Sequence, residues 1–524
     1  MMILQRIACI LVLGLISVSF CIKSNFGDDN QQASQFQVDN ELLSSISEER
    51  NPEKVESNKL QLETEQVDYQ QVAGLIDLRT TYSDGAHDLN FLIKLAKERG
   101  FDVLFINDHD RMAMEYGIFP FRNILRKREE LPSVNSRGAD KYFQGIKVAA
   151  QQHPEIILIP GSETAPFYYW TGSPLKDNLT AHNWERHLLI MGLENPQDYK
   201  NLPILHNGFS TLYSRQLLPV STIFLVLICL GFLLALKRGY YRILGIVILV
   251  NSSLMLIEFH PFKSSLFDQY SGDQEYLPYQ ELIDYVKTKG GMTFWTHPEA
   301  GAGENIRKGP ITVKTPSHPE ALLITRGYTG LGSLYGTWIK MTEPGKEWDS
   351  VLLEYCLGRR DAPAWGISTA DYHKEGENGQ RLGDFPTVFL VKEKTKDEVL
   401  SSLKQGRMYA CRAGGEDFRM FVLEDFSISD SLSTSRAIMG ETIKLKNSPE
   451  VSIKISSSDK GNYAIKVRLI RSGELINTFS GTTPFVVNLE DDHVEPGKQI
   501  YYRIDIPGEL VSNPIFVKFR RGQE

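Results

Sequence analysis

The chain has 524 residues, 42% hydrophobic and 23% charged, with a formal net charge of −8. That length leaves room for two or three domains and a large core, and the acidic balance argues against a dedicated nucleic-acid binder. Five cysteines with no CxxC spacing exclude a disulfide scaffold and a cysteine-based zinc site. Cys9, Cys21 and Cys229 lie in or beside apolar runs, which leaves Cys356 and Cys411 as the one plausible pair.

Residues 1–23 carry an early Arg6 and an apolar run from Ile7 to Phe20, the pattern of a signal peptide or N-terminal anchor. Cys21 keeps lipoprotein-type cleavage open, although Phe20 is large for such a site. Residues 24–70 are rich in Asn, Gln, Ser, Asp and Glu and read as a disordered polar stalk. An α/β pattern begins at residue 71. Ile76–Leu78 is a short β-favouring run, broken by the turn residues Thr80–Gly85. From Asp88, the residues Leu89, Leu92, Ile93, Leu95 and Ala96 fall at helical spacing and Gly100 closes the helix. Val103–Ile106 is a continuous apolar run, as in a buried parallel strand. Asn107-Asp108-His109-Asp110 follows at its C-terminal end, where α/β folds place their chemistry. After a basic, mixed segment at 121–152, Ile156–Pro160 is a strand running into Gly161-Ser162-Glu163. His187 heads the apolar run Leu188–Gly192; His182 competes with it but precedes no strand.

Leu217–Leu236 is twenty residues without a charge, long enough to cross a bilayer, and Tyr240–Ile257 is a second, weaker apolar segment. A single span would put the two halves of the α/β pattern on opposite sides of a membrane. A hairpin keeps them together, and its basic connection (Lys237, Arg238, Arg242) belongs in the cytoplasm. Residues 216–258 therefore read as a transmembrane helical hairpin splitting one catalytic domain into 71–215 and 259–415. A buried helix pair is the alternative.

Beyond it, Tyr279–Lys289 has helical spacing and Met292–Trp295 is a strand ending in Thr296-His297-Pro298. Ala321–Thr325 reads as a strand and Trp348–Leu357 as an amphipathic helix, and Ala364–Ser368 leads into Thr369-Ala370-Asp371-Tyr372-His373. Val388–Val391 is a strand and Lys396–Gln405 a helix. Short alternating segments at 418–424, 451–456, 464–470, 475–479, 500–506 and 515–519 then predict a β-sandwich over 416–524.

The ordered set TTYSDG, DHD, GSE, a histidine before LLIMG, THP and TADYH resembles the polymerase and histidinol phosphatase (PHP) family of metallohydrolases. SLKQGRMYA and SNPIFV resemble its carbaryl-hydrolase branch. The resemblance covers about residues 71–520 apart from the hairpin. It implies an α/β fold, a distorted (βα)7-type PHP barrel interrupted by the two-helix hairpin, followed by a C-terminal β-sandwich-like domain. It also implies a cluster of divalent metals at the strand ends. Asp84, His109 and His373 would hold one ion; Glu163, His187 and His297 would hold a second, with Glu163 able to bridge. The family's third set uses two further histidines with Glu163 and Asp371, and here Asp77 and Arg79 occupy those histidine positions. Asp77 can still offer oxygen to a cation. Arg79 has no lone pair to give, so its guanidinium is expected to replace the third cation and hold Asp371 or a substrate phosphate. Zinc, manganese or iron suits such a set, about two ions per chain. Asp108 and Asp110 are expected to orient His109, and Arg307, Lys308 and Lys374 are candidate phosphate contacts. His87, His153, His206, His260 and His318 match no motif and read as structural or solvated.

The expected protein is a metal-dependent phosphoesterase, held in the lipid bilayer by the hairpin, with its catalytic and C-terminal domains in the periplasm or at the cell surface. Its partners would be the bilayer and a small-molecule or phosphoester substrate. Hydrolysis of carboxylic esters, carbamates or amides on the same site is one alternative. A degenerate binding or adhesion protein, favoured by the loss of two family histidines, is the other.

Overall fold

A computed structural model of the protein describes residues 68–300, 306–336, 339–377, 380–430, 435–494 and 497–519. The expected signal or anchor, and the stalk up to residue 67, lie outside the described residues, as do Cys9 and Cys21. Seven strands position everything that follows: β1 (Gln70–Leu78), β2 (Val103–Ile106), β3 (Ile157–Thr164), β4 (Leu188–Met191), β5 (Met292–Trp295), β6 (Gly330–Leu334) and β7 (Trp365–Ser368). They lie side by side in chain order. β1, β2 and β3 pair in parallel, as do β5, β6 and β7, whereas β4 is antiparallel to both its neighbours. Past β7 the chain returns to β1. Ala370 N donates to Ile76 O at 3.1 Å, Tyr372 N to Asp77 O at 3.0 Å and Arg79 N to Tyr372 O at 3.0 Å, so the run of strands closes on itself. β2, β4, β5, β6 and β7 are buried along their whole length, which explains their continuous apolar or small-residue sequences.

Helix α1 (Leu89–Glu98) starts where the Asp88 side chain accepts from Phe91 N at 2.8 Å, and it buries Leu92, Ile93 and Ala96. The basic segment resolves into two elements. Arg126–Leu131 pairs with Met112–Gly117 as an antiparallel ribbon, and α2 (Ala139–Gln152) packs beside β3. Ala321–Thr325 is not a strand. Pro319 and Glu320 lead into a helical turn, Ala321–Ile324, and the strand lies further on as β6. Its sequence, GLGSL, has little β-character because its neighbours leave no room for side chains. A Cβ on Gly330 would stand 2.1 Å from Trp365 O, and one on Gly332 would stand 2.0 Å from Thr296 O.

Between β4 and β5 the chain runs through α3 (Ser214–Ala235) and α4 (Tyr240–Glu258). Both are long and apolar enough to cross a membrane, and only 17% of each most apolar stretch is buried. They approach closely at Gly231 and Gly245, where an added Cβ would meet the partner helix's backbone at 2.7 and 2.3 Å.

β8 (Pro386–Val391) adds to β1 on the other side, antiparallel, followed by α5 (Lys396–Gln405) and β9 (Met408–Cys411). From β9 the same sheet continues into the C-terminal region through Leu510–Ser512, Gln499–Ile506, Ala464–Arg471 and Glu474–Thr482. A second layer, built on Phe421–Asp430, Pro449–Ser457 and Phe485–Glu490, shares a core with it, including Ile428, Ile453, Leu469 and Ile504. The sandwich layers are thus continuous with the site-bearing sheet across residue 416. Cys356 and Cys411 are free, not paired. Cys411 is buried in the C-terminal core, while Cys356 packs on the core around the closed strands.

Candidate metal centre

The ends of these strands converge. β4 alone runs in reverse, so its N-terminal end lies beside the C-terminal ends of the others. That is why a histidine preceding β4, His187, meets Glu163 near the end of β3 and the histidines that follow β2 and β5, His109 and His297.

β1 ends irregularly, with a register shift against β2 between Leu75 and Leu78. Asp77 stands at φ +75° and Asp371, past β7, at φ +45°. Left-handed backbone at a non-glycine residue costs about 1–3 kcal/mol and gathers at functional sites. Here it is held by hydrogen bonds, including Asp77 N to Asn107 Oδ1 at 3.1 Å. Both strained carboxylates flank Arg79, which is fully buried. Its Nη1 donates to Asp77 Oδ1 at 2.6 Å and to Asn107 O at 2.7 Å. Nη2 donates to Glu163 Oε2 and lies 3.5 Å from Asp371 Oδ1. Burial disfavours the charged guanidinium, but Asp77, Glu163 and Asp371 outweigh it and hold the Arg79 pKa well above its usual value. Burial pushes the Asp77 carboxyl up to about 6 against the pull of Arg79. Burial also works against Glu163, yet Arg79, His187 and His297 hold it well below the usual carboxylate range.

Around this guanidinium sit two carboxylates, each addressed by two imidazoles. Asp84 Oδ2 lies 3.5 Å from His109 Nε2 and 3.3 Å from His373 Nε2. Glu163 Oε1 lies 3.4 Å from His187 Nδ1 and 3.5 Å from His297 Nε2. His109 links the two groups, its Nδ1 being 3.6 Å from Glu163 Oε2. Three trios bring their donor atoms within 4.8 Å of one another: Asp84–His109–His373, His109–Glu163–His187 and Glu163–His297–Asp371. The first is the expected set. His187 and His297 reach the same Glu163 oxygen but fall in separate trios, so the second expected set is divided between them.

The spacing fits a shared cation better than a shared proton. Two donors about 2.1 Å from one tetrahedral ion stand about 3.4 Å apart, whereas N–H···O bonds cluster near 2.9 Å. Glu163 Oε1 and His187 Nδ1, both buried, have no hydrogen-bond partner, and neither does Asp77 Oδ2. Burial lowers the His187 pKa to about 3, which leaves a neutral ring with a lone pair. His297 and His373 shift the other way: burial opposes the charge, but the nearby carboxylates, Glu163 and Asp371 beside His297 and Asp84 and Asp371 beside His373, raise each to about 9.

Asp108 serves a different purpose from the one expected. Its Oδ1 accepts from Thr80 N (2.8 Å), Ser83 N (3.1 Å) and Ser83 Oγ (2.7 Å), and its Oδ2 from Thr80 Oγ1 (2.7 Å). It therefore holds the turn that presents Asp84. Gly85 closes that turn, with no space for a Cβ against the Arg79 backbone, 2.5 Å away. Asp110 is buried, its carboxyl pushed up to about 7 by burial, while His109's nitrogens face Asp84 and Glu163.

Of the candidate phosphate contacts, Arg307 is exposed and paired with Asp177 at 2.9 Å, and Lys374 is exposed. Lys308 lies 3.6 Å from Glu185, whose other oxygen is 3.9 Å from His187 Nε2, so this pair borders the cluster. His182 stacks on Tyr169, His206 bonds Tyr168, and His87 stacks on Phe91, all outside it. Asn107 and Glu185 were not singled out from sequence. Asn107's position in the NDHD run, directly after a buried strand, was the available signal; Glu185 offered none.

No family model matches the chain, and no curated protein matches it. Among solved structures it is similar to a two-domain protein from Bacteroides vulgatus ATCC 8482 containing a predicted PHP-like metal-dependent phosphoesterase. That match has 13% identity and a TM-score of 0.34, covering 90% of this chain and 99% of the other. It is also similar to a protein from Bifidobacterium adolescentis ATCC 15703 assigned provisionally as a metal-dependent phosphoesterase. There the identity is 14% and the TM-score 0.25, covering 57% of this chain and 87% of the other. Likeness at this level fixes neither activity nor substrate.

Proposed function

We propose that the chain is a metal-dependent hydrolase of PHP type acting on phosphoesters. On this reading α3 and α4 anchor it in a membrane, and the site-bearing and C-terminal parts lie on the extracytoplasmic side. The observation that carries the catalytic reading is the pair of carboxylates, Asp84 and Glu163, each met by two imidazole nitrogens at 3.3–3.5 Å. Asp84, His109 and His373 would hold one ion; Glu163 would hold the other, with His187 on one side of it or with His297 and Asp371 on the other. Divalent ions bound there supply Lewis acidity toward phosphoryl oxygens and make a bound water acidic enough to attack at neutral pH.

The chain's own residues do the rest. Arg79 keeps Glu163 and Asp77 ionised and fixes their orientation from within the cluster, a permanent charge in place of a third exchangeable cation. Asp371 has a side chain 45% exposed, nearest the open side, and is placed to take up or return a proton. Buried in low dielectric, the Arg79 charge also favours the negative charge that develops on a transferring phosphoryl group. The anchoring reading is supported by the mostly exposed apolar surface of α3 and α4 and by the cations Lys237 and Arg238 between them.

The test is hydrolysis of a nitrophenyl phosphodiester, phosphomonoester and acetate by full-length protein loaded in turn with zinc, manganese and iron. Phosphoester turnover that is abolished by chelation and by His109→Ala supports the proposal. Turnover of the acetate alone replaces it with carboxylester hydrolysis. No metal-dependent turnover of any substrate overturns it.

A further inference from the structure

The ribbon Met112–Gly117/Arg126–Leu131 ends in a loop whose surface no catalytic role explains. Ile118 and Phe119 are 60% and 55% exposed, Leu125 is 53% exposed, and Ile124 is also open. Four apolar side chains on one tight loop are costly in water. The loop is not loose. Ile118 N donates to Leu125 O at 2.9 Å and Leu125 N to Phe121 O at 2.7 Å, while Gly117 N donates to the Tyr270 hydroxyl at 2.6 Å. Its tip is pinned to the last turn of α4: Asn123 N donates to Glu258 Oε2 at 2.8 Å and Asn123 Nδ2 to Glu258 O at 3.1 Å. Arg122 lies flat over Tyr270, 3.9 Å from the ring centre.

The exposed apolar surface therefore begins where the apolar helix pair ends. Near the start of α3 further apolar side chains are open: Phe209, five residues before the helix, stacks on Phe262 at 4.3 Å, and Leu218 lies in its second turn. Between Arg122 and Glu130 the ribbon carries four basic and two acidic residues, with Arg126 and Lys127 exposed.

We infer that this loop is a second, shallow membrane contact. Ile118, Phe119, Ile124 and Leu125 enter the headgroup zone of the bilayer that α3 and α4 cross, and exposed Arg126 and Lys127, paired within the ribbon with Glu115 at 2.8 Å and Glu129 at 3.2 Å, lie beside that zone. This rests on the anchoring reading above, and it deepens that reading by fixing which face of the site-bearing domain lies against the membrane. Two rigid contacts, the helix pair and a loop pinned to its foot, would stop the domain from swinging on its hairpin.

The experiment places an environment-sensitive fluorescent amino acid singly at 119, 125, 226 or 486 of the full-length protein in phosphatidylcholine nanodiscs. The discs contain lipids nitroxide-labelled either near the headgroup or at the chain end. The expected result is a blue shift and strong quenching at 119 and 125 by the shallow label. Position 226, within α3, should be quenched by the deep label, and position 486, on a C-terminal strand, by neither. Quenching at 226 without quenching at 119 and 125 overturns the inference and leaves the anchor standing. Absence of quenching at 226 overturns both.

Discussion

Among the described residues, two arginines, Arg79 and Arg503, are completely buried against carboxylates, and their surroundings could hardly differ more. Arg503 grips Asp349 with two parallel bonds, Nε to Oδ1 at 2.7 Å and Nη2 to Oδ2 at 2.8 Å, and lies over the Trp348 ring. Asp349 also accepts from Gly345 N and the Tyr501 hydroxyl, so both of its oxygens are partnered, and the C-terminal region is fastened to the helix Glu347–Cys356; Arg503 Nη1 makes no hydrogen bond and lies 3.6 Å from Asp505 Oδ2. Trp348 and Asp349 of that helix are thus a fastening. Arg79 has instead three carboxylates around one guanidinium, two of them on left-handed backbone, with unpartnered lone pairs on Asp77, Glu163 and His187 beside it. A buried carboxylate whose oxygens are all partnered, as in Asp349, holds a fold together. A buried charge set in an excess of unpaired acceptors marks a place built to receive something positive.

The comparison can be broken most sharply at Arg79. Arg79→Met removes the guanidinium that faces both Asp77 and Glu163 in the buried cluster. Metal-free protein should then lose stability by at least the roughly 3–5 kcal/mol typical of breaking a buried pair. Saturating manganese or zinc should restore much of that loss, as read by denaturant unfolding with and without metal. Arg503→Met should cost about 3 kcal/mol through the stranded Asp349, and metal should recover none of it. Equal metal rescue of both variants would erase the distinction.

A smaller effect sharpens the same contrast through pH. His297 and His373 are raised from 6.5 to about 9 in the folded chain. Their contribution to metal-free stability is therefore complete below pH 6.5 and is lost as the pH climbs through 9. Metal must displace those protons, so metal affinity should rise across that window, by up to about tenfold per pH unit for each proton released. Melting curves at pH 6.5 and 9, with chelator and with metal, should move in opposite directions. The smallest change is expected at Arg307, an exposed residue paired with exposed Asp177. Arg307→Ala should shift stability by less than about 1 kcal/mol and leave phosphoester KM unchanged; a several-fold rise in KM would return it to the site.

Much of this was legible in the chain because local chemistry and global fold agree. Asp88 and the 3.6-residue spacing after it specify α1, and Lys396–Gln405 is a helix over the expected residues. The TTYSDG turn, the DHD run and the GSE strand end announce polar groups at the ends of buried strands, and these do lie together. What sequence could not carry was direction and crowding. Nothing in Leu188–Met191 says that this strand runs backwards, which is what brings His187 into reach. The glycines of β6 look like a loop until Trp365 and Thr296 are seen pressing on them. Asp108 looks like a partner for His109 because the two are adjacent, but successive residues past a strand point different ways, and its oxygens go to Thr80 and Ser83. The division of His187 and His297 between two trios is likewise a matter of three-dimensional spacing.

The most direct test of the central claim is elemental analysis of full-length protein after reconstitution with zinc, manganese and iron and removal of unbound ions, beside Arg79→His. The account predicts about two ions per chain in the wild type, with Arg79→His gaining capacity for a further ion. No retained metal in the wild type under any of the three ions would contradict it, and Asp84, Glu163 and the four histidines would then have to be explained as a site for another kind of ligand.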